Sequence, residues 1–290
     1  MLFRQYTDVK LMYTDTSEVL SQHEAQNLIL LGNLVLGCKG TDVSGWRNPS
    51  NWFMATVSDE AGIRLTAVMT PPHNLTLFAT GNEVSEGALN CLIDAMNSAG
   101  ITYPGLMTEV SLADKFIKIH SLSHSGSWSI SRRQRIYSLT QVSTAITRVG
   151  TLRQACGDDA EFLPGWFEGF YAEDFDSPMP ERHGVETCQQ QLSSGHLHIL
   201  EVDGQPVSMA SRSRFVQSVC GISYVYTPPA LRRQGYASSC VANVSQLVLD
   251  QGFTSCALYT DLANPISNSI YQQIGYRPVC DSVELSLDAD

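Results

Sequence analysis

The segment from Tyr226 to Ser238 constrains the fold more than any other part of this sequence. An apolar strand ends there at Pro228-Pro229, and a helix begins after an Arg-x-x-Gly-x-Ala turn that contains Gly235. Proline cannot donate to a sheet ladder, so strand pairing must end at the prolines. Glycine lets a ligand approach the backbone, and the first N–H groups of a helix have no acceptor within it. The segment therefore predicts a strand–turn–helix unit whose backbone forms an anion site suited to a pyrophosphate.

A glycine turn of this kind also occurs as a tight connection that binds nothing. A second segment favours the anion site. A strand ends after Leu258, and the chain then passes through Asn264 and Pro265 to a glycine stop at Gly275. Asn264 is suited to the N-cap, Pro265 to the first helical position and Gly275 to the C′ position. We therefore predict a helix from Pro265 to Ile274.

Together the two segments resemble the GNAT superfamily of acyl-CoA-dependent N-acetyltransferases. The first matches the family's Arg/Gln-x-x-Gly-x-Gly/Ala loop at Arg232, Gly235 and Ala237. The second matches its Asn-x-x-Ala/Ser-x-x-Leu/Ile-Tyr-x-x-x-Gly-Phe/Tyr helix at Asn264, Ser267, Ile270, Tyr271, Gly275 and Tyr276. The resemblance covers residues 146–290. More narrowly, the runs 226–229 and 259–265 are similar to a bacterial branch labelled zwittermicin-A-resistance-like.

The resemblance implies that acetyl-CoA is the cosubstrate and that the glycine turn holds its pyrophosphate. Backbone groups of residues 225–227 would serve the pantetheine arm, and two arginines of the turn would add charge-assisted bonds to phosphate, although Arg233 is equally suited to solvent. The cofactor-binding residues implied in this way are Val225, Tyr226, Thr227, Arg232, Arg233, Gln234, Gly235, Tyr236, Ala237, Ser238, Asn264 and Tyr271.

Acyl transfer to an amine needs a neutral amine, stabilisation of the developing oxyanion and a proton for the departing thiolate. The resemblance implies that Tyr271 supplies this proton as the general acid. The alternative is a core tyrosine at helical spacing with Ile266, Ile270 and Ile274.

The general base is harder to assign, because residues 221–226 contain no carboxylate where many family members carry a glutamate. Asp261 and an acidic cluster are alternatives for this role. Each is equally suited to a solvated surface position, and Asp261 also to capping N–H groups of its own turn. The cluster consists of Glu168, Glu173, Asp174 and Asp176.

The length of 290 residues favours two domains. We predict a mixed-sheet α/β fold, with a GNAT catalytic domain at 146–290 and a second α/β domain at 1–145. The element order of the second domain, including one long helix at Glu18–Leu36, indicates a degenerate copy of the same fold. Thr70-Pro71-Pro72 repeats the double proline, but no Arg-x-x-Gly-x-Ala turn follows it. We therefore assign no second cofactor site.

The net charge is −11, and residues 146–290 account for −9 of it, with 8 Arg, no Lys and 17 Asp plus Glu. This acidity disfavours nucleic acid and suits a cationic amine acceptor, either a small molecule or a peptide. No apolar run approaches the roughly 20 residues of a membrane helix, and the N-terminus lacks a signal-peptide core. A cytoplasmic protein without membrane contact is therefore expected.

The eight cysteines are scattered without zinc-like spacing, which predicts reduced thiols. His196 and His198 alternate along a predicted strand, but no third ligand stands near them, so no metal is expected.

Because neither motif contains a cysteine that would carry the acyl group, the predicted reaction is direct attack by the amine in a ternary complex. The alternative is a non-catalytic acyl-CoA-binding or sensor module. Nucleotide binding is disfavoured, since no Walker or dinucleotide glycine motif is present. The oligomeric state, including a dimer, stays open.

Overall fold

The computed structural model describes residues 1–40, 47–81, 84–122, 126–174 and 183–288. The chain divides into two compact units: Met1–Ile136 together with Val279–Asp290, and Tyr137–Pro278. The last strand of the chain therefore belongs largely to the first unit. The division into domains at 1–145 and 146–290 stays a prediction.

The elements up to the middle of the chain are β1 (Leu2–Gln5), α1 (Val9–Ser21), α2 (Leu28–Cys38), β2 (Phe53–Asp59), β3 (Gly62–Met69), β4 (Leu75–Ala79), α3 (Glu86–Ser98), β5 (Gly105–Glu109), α4 (Val110–His120) and β6 (Ser127–Leu139). The remaining elements are β7 (Thr151–Gln154), α5 (Leu163–Asp174), α6 (His183–Ser194), β8 (Leu197–Val202), β9 (Gln205–Ser213), β10 (Val219–Tyr226), α7 (Tyr236–Asp250), β11 (Ser255–Asp261), α8 (Pro265–Ile274) and β12 (Arg277–Asp288).

The two halves share one order of elements. Apart from short 3₁₀ turns, β1 to β6 and β7 to β12 both run strand, two helices, three strands, helix, strand, helix, strand. In the first unit the sheet order is β1-β2-β3-β4-β5-β12, and in the second it is β11-β10-β9-β8-β7. Parallel and antiparallel pairs occur in both, which confirms the predicted mixed α/β fold.

The prediction of one long helix over Glu18–Leu36 is wrong, because α1 ends at Ser21 and α2 begins at Leu28. Asn27 lies at this break with 3% of its surface exposed, and its side-chain amide donates to the carbonyl oxygen of Leu20 at 3.1 Å. This bond satisfies a buried polar group, so the chain turns where the apolar pattern alone suggested continuity. Among the described residues no helix is long and apolar enough to cross a bilayer.

Two hydrophobic cores form in the second unit. The α7-side core contains Cys220 and Ile222 of β10 together with Val241, Val244 and Val248 of α7. The α5-side core contains Leu163 and Phe167 of α5, Cys188 of α6, and Met209 and Tyr226 from the sheet. Because β10 contributes residues to both cores, the direction of each side chain decides which helix it contacts.

The double proline of the first unit has a different place in the fold from that of the second. Thr70-Pro71-Pro72 lies between β3 and β4, whereas Pro228-Pro229 lies between β10 and α7. The first double proline therefore leads into a strand and not into a helix N-terminus.

Candidate active site

The site is built around an opening between two parallel strands. β10 and β11 pair through Val219 with Ser255, Cys220 with Cys256 and Gly221 with Ala257. Pairing within the described residues ends there, although β10 continues to Tyr226 and β11 to Asp261. The strands therefore separate toward their carboxyl ends, which is where open α/β sheets bind their ligands.

The turn after β10 has the geometry that the sequence predicts. Pro229–Leu231 forms a short 3₁₀ turn, and Gly235 is the N-cap of α7 with φ of +78°. This left-handed backbone favours glycine, and a Cβ added at Gly235 would meet no atom within 4 Å. Glycine also provides no side-chain cap, so the first N–H groups of α7 keep their hydrogen-bonding capacity for an anion.

The two arginines of the turn differ in their contacts. The Arg232 guanidinium binds Glu173 at 2.6 and 2.8 Å, and its Nε donates to the Thr227 carbonyl oxygen at 2.9 Å. Arg233 is exposed, with φ of +64°. Arg232 is thus bound to residues of the protein itself, whereas Arg233 lies at the surface close to Gly235.

The helix that carries Tyr271 begins and ends where the sequence predicts. Asn264 accepts a hydrogen bond from the N–H of Ser267 at 3.0 Å, and Gly275 adopts φ of +116° at the other end. The N–H of Tyr276 closes the helix by donating to the Tyr271 carbonyl oxygen at 3.0 Å. This arrangement is the Schellman type of helix stop, which confirms a helix over Pro265–Ile274.

Residues 161–276 match the sequence model of the Acetyltransferase (GNAT) family. These residues form a GNAT acetyltransferase domain. The narrower likeness to the zwittermicin-A-resistance branch stays a prediction. A search of curated proteins found no match to this chain.

Solved structures with the same fold extend over nearly the whole chain. A GNAT-family acetyltransferase from Colwellia psychrerythraea is 11% identical, with 100% of both chains covered and a TM-score of 0.56. A Drosophila protein is 12% identical, with 98% of both chains covered and a TM-score of 0.64. A GCN5-related N-acetyltransferase from Sphaerobacter thermophilus is 12% identical, with 98% of this chain and 95% of that chain covered and a TM-score of 0.61. At such identities the likeness establishes the fold.

Tyr271 of the GNAT domain is 8% exposed and belongs to the α7-side core. Its ring centroid lies 6.4 Å from that of Tyr137 and 5.9 Å from that of Tyr276. The core position named as the alternative is therefore where the residue lies, and its role as general acid stays a prediction. The two are compatible, because a tyrosine combines an apolar ring with a polar tip.

Tyr137 is a residue that the motifs did not reveal. Its ring is fully buried, and its hydroxyl donates to Asn268 Oδ1 at 3.1 Å and accepts from Gln272 Nε2 at 2.8 Å. The Asn268 amide nitrogen in turn donates to the carbonyl oxygens of Asp261 and Asn264, both at 2.8 Å. This network fastens α8 to its surroundings and thereby holds Tyr271 in place. No local pattern predicts it, since Tyr137 lies 131 positions before Asn268.

The candidate bases lie on different elements. Asp261 ends β11, and its Oδ1 accepts a bond from the N–H of Ala263 at 2.7 Å, so it caps its own turn as one alternative expected. Glu168 is exposed on α5, where a Cβ added at Gly184 would lie 2.9 Å from its Oε1. Glu173 binds Arg232. Asp176 lies outside the described residues.

A bulge in β10 changes the direction of one tyrosine side chain. Ser223 pairs with Ser211 of β9, but the next pair joins Tyr226 to Met209, so β10 holds one extra residue. Within it, Tyr224 adopts φ of +50°, which is uncommon for a residue other than glycine. Ile222 faces the α7-side core, whereas Tyr224 packs against the α5-side core. The bulge thus directs Tyr224 toward α5.

Tyr226 also projects toward α5, and it is 9% exposed. Burial raises the pKa of its phenol, with a further increase from the charge of Glu173 and a smaller opposing effect from Arg232. Its hydroxyl contacts Gly169 so closely that a Cβ there would lie 2.7 Å from its Cζ. This contact explains a glycine in the middle of a helix.

The histidines do not extend the site. His196 precedes β8, while His198 lies within it and is 5% exposed. Burial lowers the pKa of His198, and its Nδ1 lies 2.9 Å from the carbonyl oxygen of His196. In the part of the chain that the structure describes, no group of three or more His, Cys, Asp or Glu side chains is arranged to hold a metal ion.

Proposed function

We propose that the GNAT domain transfers an acetyl group from acetyl-CoA to a primary amine by direct attack in a ternary complex. The observation that carries this proposal is the combination of an open sheet edge with an uncapped helix N-terminus directly after it. The opening begins beyond Gly221 and Ala257, and Gly235 leads into α7. The match of residues 161–276 to the GNAT family model favours an acyl-CoA as the ligand.

The residues present fit the phosphate end of this cosubstrate. Gly235 has open space beside it, and the first N–H groups of α7 point out of the helix. An oxyanion placed there gains hydrogen bonds and the favourable end of the helix dipole. Arg233 supplies a positive charge at the same turn. Exchange of Arg232 from Glu173 to a phosphate would add a second charge.

Acetyl-CoA supplies the acyl group as a thioester, and residues of the protein remove and donate the protons. The neutral amine loses one proton as the C–N bond forms, and the sulfur gains one as the C–S bond breaks. Tyr271 donates the proton that the sulfur gains and is reprotonated from solvent. Tyr137, through Asn268 and Gln272, holds the helix of Tyr271 in position.

The acceptor is a small molecule or a peptide that carries a primary amine. Tyr137–Pro278 contains 8 arginines, no lysine and 13 Asp plus Glu, so this unit attracts cations. Asp261 or Glu168 removes the amine proton. Of these two, Glu168 has its carboxylate exposed on α5, whereas Asp261 already accepts a backbone bond.

The test is release of free CoA from acetyl-CoA across a panel of primary amines, together with calorimetric titration of CoA itself. Amine-dependent thiol release and saturable CoA binding are the expected results. Absence of CoA binding would overturn the proposal. Binding without release for every amine would instead favour the non-catalytic acyl-CoA-binding module.

A further inference from the structure

The bulge of β10 creates a pair of phenols on the α5 side of the sheet. Tyr224 and Tyr171 place their hydroxyl oxygens 3.3 Å apart. Tyr171 lies near the end of α5, and Tyr224 follows Gly221, where β10 leaves β11, by three positions. Because a left-handed residue costs backbone energy, such positions occur preferentially at functional sites. Tyr224 thus lies on the part of β10 that no longer pairs with β11, on the face of the sheet that packs against α5.

Rings surround the phenol pair. Phe170 lies 5.4 Å from the Tyr224 ring and 5.5 Å from the Tyr171 ring, both in edge-to-face geometry. Phe167 is fully buried beneath them, 5.3 Å from Tyr224, and supports the ring of Tyr224 from the core. Phe170, Tyr171 and Tyr224 remain partly exposed. They form an aromatic wall with two hydroxyl groups at its edge.

The described residues of the two helices beside this aromatic wall carry negative charge. Among the residues of α5 and α6 whose side chains the structure describes, Glu168, Glu173 and Glu186 are acidic and none is a lysine or arginine. Arg232 pairs with Glu173, so the other carboxylates set the local potential. Negative potential together with ring faces attracts a cation that carries apolar surface.

We propose that the acceptor is an amine with an aromatic or similarly flat apolar body, which packs on Phe170, Tyr171 and Tyr224 while its nitrogen lies at the phenol pair. The inference rests on the proposed acetyl transfer and names its substrate class. A phenol oxygen accepts an N–H bond from the neutral amine and leaves the nitrogen lone pair free to attack. A polyamine fits poorly, because its further ammonium groups would lose hydration against rings.

The first test compares kcat/KM for 2-phenylethylamine, n-butylamine and spermidine at saturating acetyl-CoA. We expect kcat/KM for 2-phenylethylamine to exceed that for each of the other amines by about 10-fold, because burial of its ring on the aromatic wall stabilises the bound amine. Equal values, or a preference for spermidine, would overturn the inference while leaving acetyl transfer intact.

The second test uses variants of the wall. Tyr224→Phe and Tyr171→Phe each remove one hydroxyl group, and we expect each to raise KM for 2-phenylethylamine by about 5- to 10-fold. Phe170→Ala should lower the preference for 2-phenylethylamine over n-butylamine. Tyr13→Phe on α1 is the matched control, since it removes a phenol oxygen from the other unit. CoA affinity should stay unchanged in all four variants.

A binding measurement keeps the two proposals separable. Calorimetric titration of 2-phenylethylamine into the protein saturated with CoA should give tighter binding than spermidine, and 2-phenylethylamine should bind more weakly to Tyr224→Phe and Phe170→Ala. If CoA binds but the aryl amine does not, the inference fails and the donor site stands. If CoA itself does not bind, the proposed function fails, and a result with 2-phenylethylamine alone then decides whether the wall binds amines.

Discussion

The guanidinium of Arg232 binds both carboxylate oxygens of Glu173, at 2.6 and 2.8 Å. The same side chain donates to the carbonyl oxygen of Thr227 at 2.9 Å and lies 5.7 Å from the centroid of the Tyr226 ring. Arg232 therefore joins the end of β10 and the glycine turn to helix α5. Arg232, which the family resemblance implies to be a phosphate ligand, thus has a carboxylate partner within the protein itself.

Replacing Glu173 by glutamine should strengthen CoA binding. The carboxylate competes with phosphate for the guanidinium, so its removal frees Arg232, and we expect an increase in affinity of about 2- to 5-fold. The side chains of the pair are 40% and 49% exposed, and an exposed ion pair contributes less than about 1 kcal/mol to folding. Calorimetry with CoA and urea denaturation measure the two effects. Glu60→Gln, in an exposed turn of the other unit, is the control. A fall in CoA affinity for Glu173→Gln would show that Glu173 holds the turn in its binding conformation.

Gly235→Ala should impair CoA binding more than stability. The left-handed backbone at φ of +78° costs a residue with a Cβ about 1 kcal/mol, and the added methyl group would stand in the open space before α7. We expect CoA affinity to fall by more than about 10-fold, because the methyl group keeps a phosphate from the free N–H groups.

Gly252→Ala is the matched control for that substitution. Gly252 follows the other end of α7 with φ of +94°, and a Cβ there also meets no atom within 4 Å. The Gly252→Ala variant should lose about as much stability in urea denaturation as Gly235→Ala, and its CoA affinity should stay unchanged. Equal losses of CoA affinity in the two variants would contradict an anion site at the turn.

The sequence predicts an element of the fold well where the residues that determine it lie close to it in the sequence. Helix α8 was predicted with its observed bounds, because Asn264, Pro265 and Gly275 act within a few residues of the helix ends. The hairpin between β8 and β9 is equally local, because an Asp203-Gly204 turn is a strong hairpin signal and both residues adopt positive φ. The break between α1 and α2 was missed, since it involves a buried side chain and no helix-stop residue.

The position of Tyr224 depends on pairing between residues that are distant in the sequence. The bulge at Tyr224 exists because β10 and β9 pair out of step between Ser223 and Tyr226, which no periodicity in residues 219–226 reveals. No local sequence pattern places Tyr224 against the aromatic residues of α5. The network of Tyr137 was missed for the same reason.

Tyr271→Phe should abolish most turnover without weakening CoA binding. Loss of the phenolic proton removes the general acid, and such groups contribute about 100-fold or more to rate. The ring stays, so its contacts with Tyr137 and Tyr276 are kept. Rates of thiol release and CoA titration measure the two properties, with Tyr13→Phe as the control for a lost phenol. Full activity in Tyr271→Phe would assign the residue to the core alone.

Gly169→Ala should destabilise the GNAT domain although alanine favours helices. An added Cβ would lie 2.7 Å from Cζ of Tyr226 and closer still to its hydroxyl oxygen, so α5 or the ring must move. Overpacking of this kind costs about 1–3 kcal/mol. Gly165→Ala on the same helix is the control, because a Cβ there meets no atom within 4 Å and helix propensity favours alanine over glycine by about 1 kcal/mol. Urea denaturation should therefore move in opposite directions for the two variants. Similar stability of both would mean that α5 does not pack on Tyr226, and would remove the reason for placing Tyr171 beside Tyr224.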